Sequence, residues 1–111
     1  MKVETDWEKY CLRSSVLVTQ LVRDTFEVLE QYGLFKPEQN KDLARDLLFR
    51  ICAVLDGSSF PGRLDDQEIA PFVGFYSAES SEGVLIPKDG SGMHEIVFDV
   101  IDAYVAGGGG T

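Results

Sequence analysis

Apolar residues recur at helical spacing through most of the first half of the chain. Trp7, Cys11, Ser14, Val18, Leu21, Thr25, Val28 and Tyr32 form one row, and Tyr10, Leu17, Val22, Phe26 and Leu29 a second beside it. Together they predict one long amphipathic helix. Thr5-Asp6-Trp7-Glu8 fits a capping box, with Thr5 as cap and Glu8 reaching back to it. Gly33 ends the pattern, because glycine takes the left-handed conformation that closes a helix. Arg13-Ser14-Ser15 is the weak point, two poor helix formers that would mark a break.

A second helix is predicted from Pro37, whose missing donor suits a first turn. Leu43, Leu47, Leu48, Ile51, Val54 and Leu55 follow at spacings of three and four, and Gly57 stops the run. The short connection Gly33-Leu34-Phe35-Lys36 predicts an antiparallel helical hairpin, with Leu34 and Phe35 tucked under its end.

Gly57 to Ala70 reads as irregular, with turns at Gly57-Ser58-Ser59 and Phe60-Pro61-Gly62 and one helical turn over Asp65–Ile69. Phe60 and Phe72 read as core plugs, with exposed anchors as the alternative. Two strands are predicted next, Phe72–Tyr76 and Val84–Ile86, joined by a polar loop and bracketed by Pro71 and Pro87. Gly74 inside the first strand signals a bulge or a close backbone approach. After the turn Lys88-Asp89-Gly90-Ser91-Gly92, the positions Met93, Ile96, Val97, Val100, Ile101, Tyr104 and Val105 trace a third helical stripe. A strand through Glu95–Val100 is the alternative.

The expected fold is α+β: an N-terminal helical hairpin, a small antiparallel β-hairpin and a C-terminal helix in two layers. A mostly α domain is the alternative. One domain over residues 1–106 and a flexible glycine-rich tail over 107–111 account for all 111 residues.

Charge changes the picture of what this body can meet. Residues 1–55 hold nine acids and eight bases, and residues 56–111 ten acids against Arg63 and Lys88, giving the net −9. A surface so negative repels phosphate backbones and anionic lipid, so neither nucleic acid nor membrane is an expected partner. The bases Lys9, Arg13, Arg23, Arg45 and Arg50 read as a solvated face with intrahelical pairs Glu27–Arg23 and Asp46–Arg50. The start, Met1 to Asp6, turns acidic at once without an apolar stretch, and the longest apolar run is Ile51 to Leu55. Neither a signal peptide nor a membrane span is expected, and the expected location is cytoplasmic.

Candidate chemistry is sparse. Glu95, Asp99 and Asp102 fall at i, i+4 and i+7 of the third helix. Like charges at such spacing repel by ~0.2–0.5 kcal/mol per pair. A local rule broken without visible compensation points to a docking face for Lys or Arg side chains of another protein. Asp65, Asp66 and Glu68 extend the same negative field. His94 is the only histidine. On a helix its neighbour Glu95 points elsewhere and Asp99 lies one position too far, so His94 reads as a structural or surface residue. Cys11 and Cys52 sit among apolar neighbours and read as buried thiols rather than a disulfide framework or nucleophile. One histidine and two distant cysteines lack the spacing of a zinc site, so no metal and no cofactor is expected. Asp89-Gly90-Ser91-Gly92 resembles an anion-binding loop only superficially and reads as a turn before a helix.

The function these features favour is a small acidic protein-binding module, of the inhibitor or immunity type, whose carboxylates engage a basic partner such as a cationic nuclease. A small enzyme using His94 is the alternative from a second class. A homodimer or larger assembly seamed by the apolar face of the first helix is the third.

Overall fold

The computed structural model describes residues 2–33, 37–59, 62–77, 79, 83–87 and 92–107. Leu34, Phe35, Phe60, residues 88–91 and residues 108–111 lie outside the described residues, as do the side chains of residues 37–39. The fold is α+β, with three helices and two small sheets among the described residues.

The chain enters through a two-residue strand, β1 (Val3–Glu4), which the sequence pattern did not predict. α1 (Trp7–Gln31) then runs 25 residues without interruption. Its cap is Asp6 rather than Thr5: Asp6 Oδ1 accepts from the Lys9 N–H at 3.1 Å. A carboxylate there satisfies an orphan donor and also meets the positive end of the helix dipole. No break occurs at Arg13-Ser14-Ser15. Ser14 lies buried on the row of Tyr10, Val18 and Val22, and packing along that row overrides weak local propensity.

α2 (Pro37–Leu55) and α3 (Val97–Ala106) complete the helices, and α3 is led by a 3₁₀ turn, Met93–Ile96. The strand alternative for Glu95–Val100 is therefore set aside. Each helix contributes a short buried row to one core. Val18, Val22 and Phe26 of α1 meet Ala44, Leu48 and Cys52 of α2 and Met93, Val97 and Ile101 around α3. α3 packs more extensively on α1 and on α2 than those two pack on each other. A ten-residue helix is too short to persist alone in water, so α3 is held by this burial.

The first sheet has the order β1–β5–β4, where β4 is Phe75–Tyr76 and β5 is Val84–Leu85. β1 runs parallel to β5 and β4 antiparallel to it. The expected hairpin thus exists, with shorter strands than the apolar runs suggest and a third strand from the N-terminus. Gly74 makes the close approach its position signalled, since a Cβ there would stand 3.3 Å from the Leu85 carbonyl. Gly83 is more tightly constrained. It has φ +108°, and an added Cβ would collide with the Lys2 carbonyl that accepts from Val84. The sheet is pinned to α1 by Tyr10, whose hydroxyl donates to the Val73 carbonyl at 2.6 Å and whose ring meets Phe75 edge-on.

The second sheet corrects the reading of Asp65–Ile69 as a helical turn. β2 (Gly62–Leu64) and β3 (Gln67–Ile69) pair antiparallel, with Leu64 opposite Gln67. Asp65 and Asp66 form the two-residue turn, at φ 51° and 63°. Such turns need positive φ at both central positions to match strand twist, and aspartate tolerates it better than most side chains. Phe72 is a second correction. It is 58% exposed rather than a core plug. The intrahelical pairs Glu27–Arg23 and Asp46–Arg50 are also absent from the ion pairs among the described residues.

Candidate functional site

The most organised polar cluster joins the end of α2 to the start of the third helical segment. Asp56 follows the last residue of α2, and its side chain is fully buried. Its Oδ1 accepts from the Ser58 N–H at 3.0 Å. Its Oδ2 accepts from the His94 backbone N–H at 3.1 Å and stands 2.6 Å from His94 Nδ1. Burial pushes the Asp56 carboxyl up, but hydrogen bonds from the His94 ring, from Ser58 and from the His94 backbone together outweigh it and hold the group below its ordinary value. Asp56 is then ionised at neutral pH and only accepts, so Nδ1 carries the proton between them.

This arrangement orients the imidazole. Nδ1 is committed to Asp56, while Nε2 has no hydrogen-bond partner among the described residues. Phe49 meets the His94 ring edge-on at 5.1 Å, stacks on Phe98 at 5.6 Å, and Arg45 lies 5.0 Å over the Phe98 ring. A cleft of about 510 Å³ opens beside them, lined by Asp46, Phe49, Arg50, Ala53, Ser59 and Phe98. Cys52 is no nucleophile here. Burial, then the charge of Asp56, pushes its thiol up to about 11, so it stays protonated. Both Cys11 and Cys52 are free, with Cys52 buried as expected and Cys11 partly so.

Helical spacing offers His94 no carboxylate partner, since its neighbours on the helix are Glu95 and Asp99. The partner lies 38 residues upstream. One sequence signal pointed to it. A carboxylate at the negative end of a helix is unfavourable, so Asp56 before Gly57 was out of place unless something else held it.

The acidic residues singled out in the sequence separate into two places. Asp102 lies 2.8 Å from Lys41 Nζ and 3.6 Å from Arg45 Nη2, and both cations belong to α2. The hydrogen bond from Lys41, against a smaller opposing effect of burial, holds the Asp102 carboxyl below its ordinary value. Asp99 instead lines a groove of about 370 Å³ with Thr19 and Val22 of α1 and Val100, Ala103 and Tyr104 of α3. Glu95 is exposed on the 3₁₀ turn. Glu95 and Asp99 take part in no ion pair among the described residues. Asp65 and Asp66 are exposed at the tip of the β2–β3 hairpin, and Glu68 stands in register with Arg63 across it. That hairpin packs chiefly on itself, and no extensive packing brings it to α3.

Among the described residues, no group of three or more His, Cys, Asp or Glu side chains converges as a metal site, and no helix is long and apolar enough to cross a membrane. Comparison with protein-family models, with curated proteins and with solved structures finds no match to this chain.

Proposed function

We propose that this chain is a non-enzymatic protein-binding module, of the inhibitor or immunity type, which engages a basic partner through acids of its second half. One observation carries the reading: Glu95, Asp99, Asp65 and Asp66 carry their charge outward without a cation bound to their side chains among the described residues. At the hairpin tip Arg63 Nη2 donates to the Asp66 backbone carbonyl at 3.0 Å and offsets part of that charge, so Glu95 and Asp99 weigh most. Unpaired carboxylates on a chain of net −9 project a field that speeds encounter with a cation-rich surface by about 10–10³-fold at low salt. Asp102 contributes less, since Lys41 and Arg45 already hold it. Two free thiols fit a reducing compartment such as the cytoplasm, and we place the module there as part of the same proposal.

The test compares capture of a host partner, at low and high salt, by wild type and by charge variants. Glu95→Lys with Asp99→Lys is expected to lower the association rate at least about tenfold and flatten its salt dependence. Asp102→Asn should change it less than about threefold, because that charge is already countered. Equal effects of the two variants, or capture indifferent to salt, would remove the reading.

The oriented imidazole favours a second reading, a small enzyme in which His94 is a general base held by Asp56, next to Phe49 of the neighbouring cleft. A screen of activated esters decides it. Turnover that falls about 100-fold or more in His94→Ala, with the helical signal retained, supports this reading. Turnover equal to buffer, or unchanged in that variant, ends it.

We further propose that the module self-associates, on the strength of the large apolar side chains left uncovered along its helices.

A further inference from the structure

Resting on that self-association, we infer that the outward face of α2 is the contact surface and that its occupant is the α2 of a second copy, packed antiparallel about a two-fold axis. The face is continuous. Leu43, Leu47, Ile51 and Val54 repeat at spacings of four, four and three, and their exposures run from 51% at Leu43 to 39% at Ile51. They lie beside the buried row Ala44, Leu48 and Cys52, so they are surplus to the chain's own core. Between Leu47, Ile51, Val54 and Leu55, with Arg50 at its edge, the surface forms a shallow, mostly apolar hollow of about 340 Å³, the kind of depression that receives a side-chain knob.

A second copy fits this face better than an unrelated partner for two reasons. The first is register. In an antiparallel helix pair the positions facing one another have a constant sum. Leu43 with Val54 of the second copy, and Leu47 with its Ile51, have nearly the same sum, so one alignment buries all four residues of both copies. The second is charge. Asp46 and Arg50 flank the stripe on the same side, and neither is in an ion pair among the described residues. The same alignment brings Asp46 of each copy to Arg50 of the other, twice by symmetry. A basic partner would satisfy Asp46 and repel Arg50, and an acidic one the reverse. Only a surface carrying both signs in reversed order satisfies both.

The first helix, expected from sequence to be the seam, is less suited. Its main apolar row of Val18, Val22 and Phe26 is spent inside the chain. What it leaves outside near its start is Trp7, Leu12 and Val16. The charges beside Leu12 and Val16 that are unpaired among the described residues, Glu8 and Arg13, lie on opposite flanks, where an antiparallel two-fold pairing does not bring them together.

The contact is small. From Leu43 to Val54 the helix advances about 16 Å at ~1.5 Å per residue. One such contact falls short of the roughly 800 Å² per partner typical of stable dimers, so the association is weak, with dissociation in the range of tens of micromolar.

Sedimentation of the full chain from about 1 µM to about 1 mM tests this, since that interval spans such an affinity. The apparent mass of wild type is expected to rise toward twice the monomer value. Leu47→Glu, at an exposed position that leaves the core intact, is expected to remain monomeric throughout with an unchanged helical signal. Arg50→Asp should weaken association about tenfold by setting like charges together, and the reversed pair Asp46→Arg with Arg50→Asp should restore it to within about threefold. A wild type that stays monomeric sinks both self-association and this surface. A wild-type dimer that persists in Leu47→Glu, or a reversed pair that fails to recover, sinks the α2 assignment while leaving self-association standing. In that case Val16→Glu becomes the variant that gives a monomer.

Discussion

Replacing Asp56 with alanine is expected to lower stability by about 3 kcal/mol, a large share of the ~5–15 kcal/mol that holds a domain together. The loss has identifiable parts. Three donors lose their acceptor: the Ser58 N–H, the His94 N–H and His94 Nδ1–H. A donor stranded away from water costs about 1–3 kcal/mol, and partial hydration on relaxation keeps the total below the full sum. The two His94 bonds also tie the end of α2 to the turn that starts the third helical segment, so the variant should loosen that junction first. Cys52, one turn before Asp56 and fully buried, reports the loosening. Its thiol should react with a labelling reagent in Asp56→Ala under conditions where it is protected in wild type.

The same carboxylate makes a pH prediction. Its folded-state value lies below its ordinary one, despite the upward push of burial, because the His94 and Ser58 hydrogen bonds favour the charged form. A group depressed on folding contributes stability that is complete above its unfolded value, near ~3.9, and is lost as pH falls through the folded one. The difference in unfolding free energy between wild type and Asp56→Asn should therefore be steady from about pH 7 to pH 5 and shrink below about pH 4. Denaturant midpoints across that range measure it. A difference that stays constant into acid would mean that ionised Asp56 is not what holds the junction.

Which parts of this molecule were legible in its sequence follows from the range of the interaction behind each. The rows through Val18, Val22 and Phe26, and through Val97 and Ile101, are set by helical spacing within one segment. They could be read locally, and they form the core. Leu43, Leu47, Ile51 and Val54 were equally visible as a helical row, yet they stand outside while Ala44, Leu48 and Cys52 stand within. Periodicity gives the existence of an apolar face but not which of two adjacent rows meets the neighbouring helix. β1 is two residues long, too short for any alternation, and exists only because Val84 and Ile86 lie alongside to donate to Lys2 and Glu4. The β2–β3 hairpin was hidden by its turn. Asp65-Asp66 takes the place of the Asn-Gly or Asp-Gly that normally announces such a turn. Asp56 and His94 illustrate the remaining limit. Asp56 is out of place at the end of a helix but does not name what holds it, His94 is unremarkable alone, and only the packing of the third helical segment against α2 places one beside the other.

That dependence makes α3 the element whose attachment decides the rest, and Ile101 is its most telling residue. It is completely buried, together with Val97 and Met93, between rows contributed by α1 and α2. Ile101→Ala is expected to cost about 3 kcal/mol: the transfer free energy of the deleted methyl and methylene groups, plus the cavity they leave. Ile101→Val should cost about 1 kcal/mol, since one methylene is lost and the site keeps its shape. Urea unfolding checks both, and if the chain still unfolds in one step the midpoint falls while the slope stays constant. A tighter test follows from geometry. Ile101 and Asp56 fasten the same segment, one by apolar contact along α3 and the other by hydrogen bonds at its lead-in turn. Losses from Ile101→Ala and Asp56→Asn should then fall short of additivity by about 0.5 kcal/mol or more, because a segment already released by one change has less to lose by the other. Strict additivity would mean that the Asp56–His94 bonds and the α3 core hold the chain independently, and that His94 keeps its orientation without α3 in place.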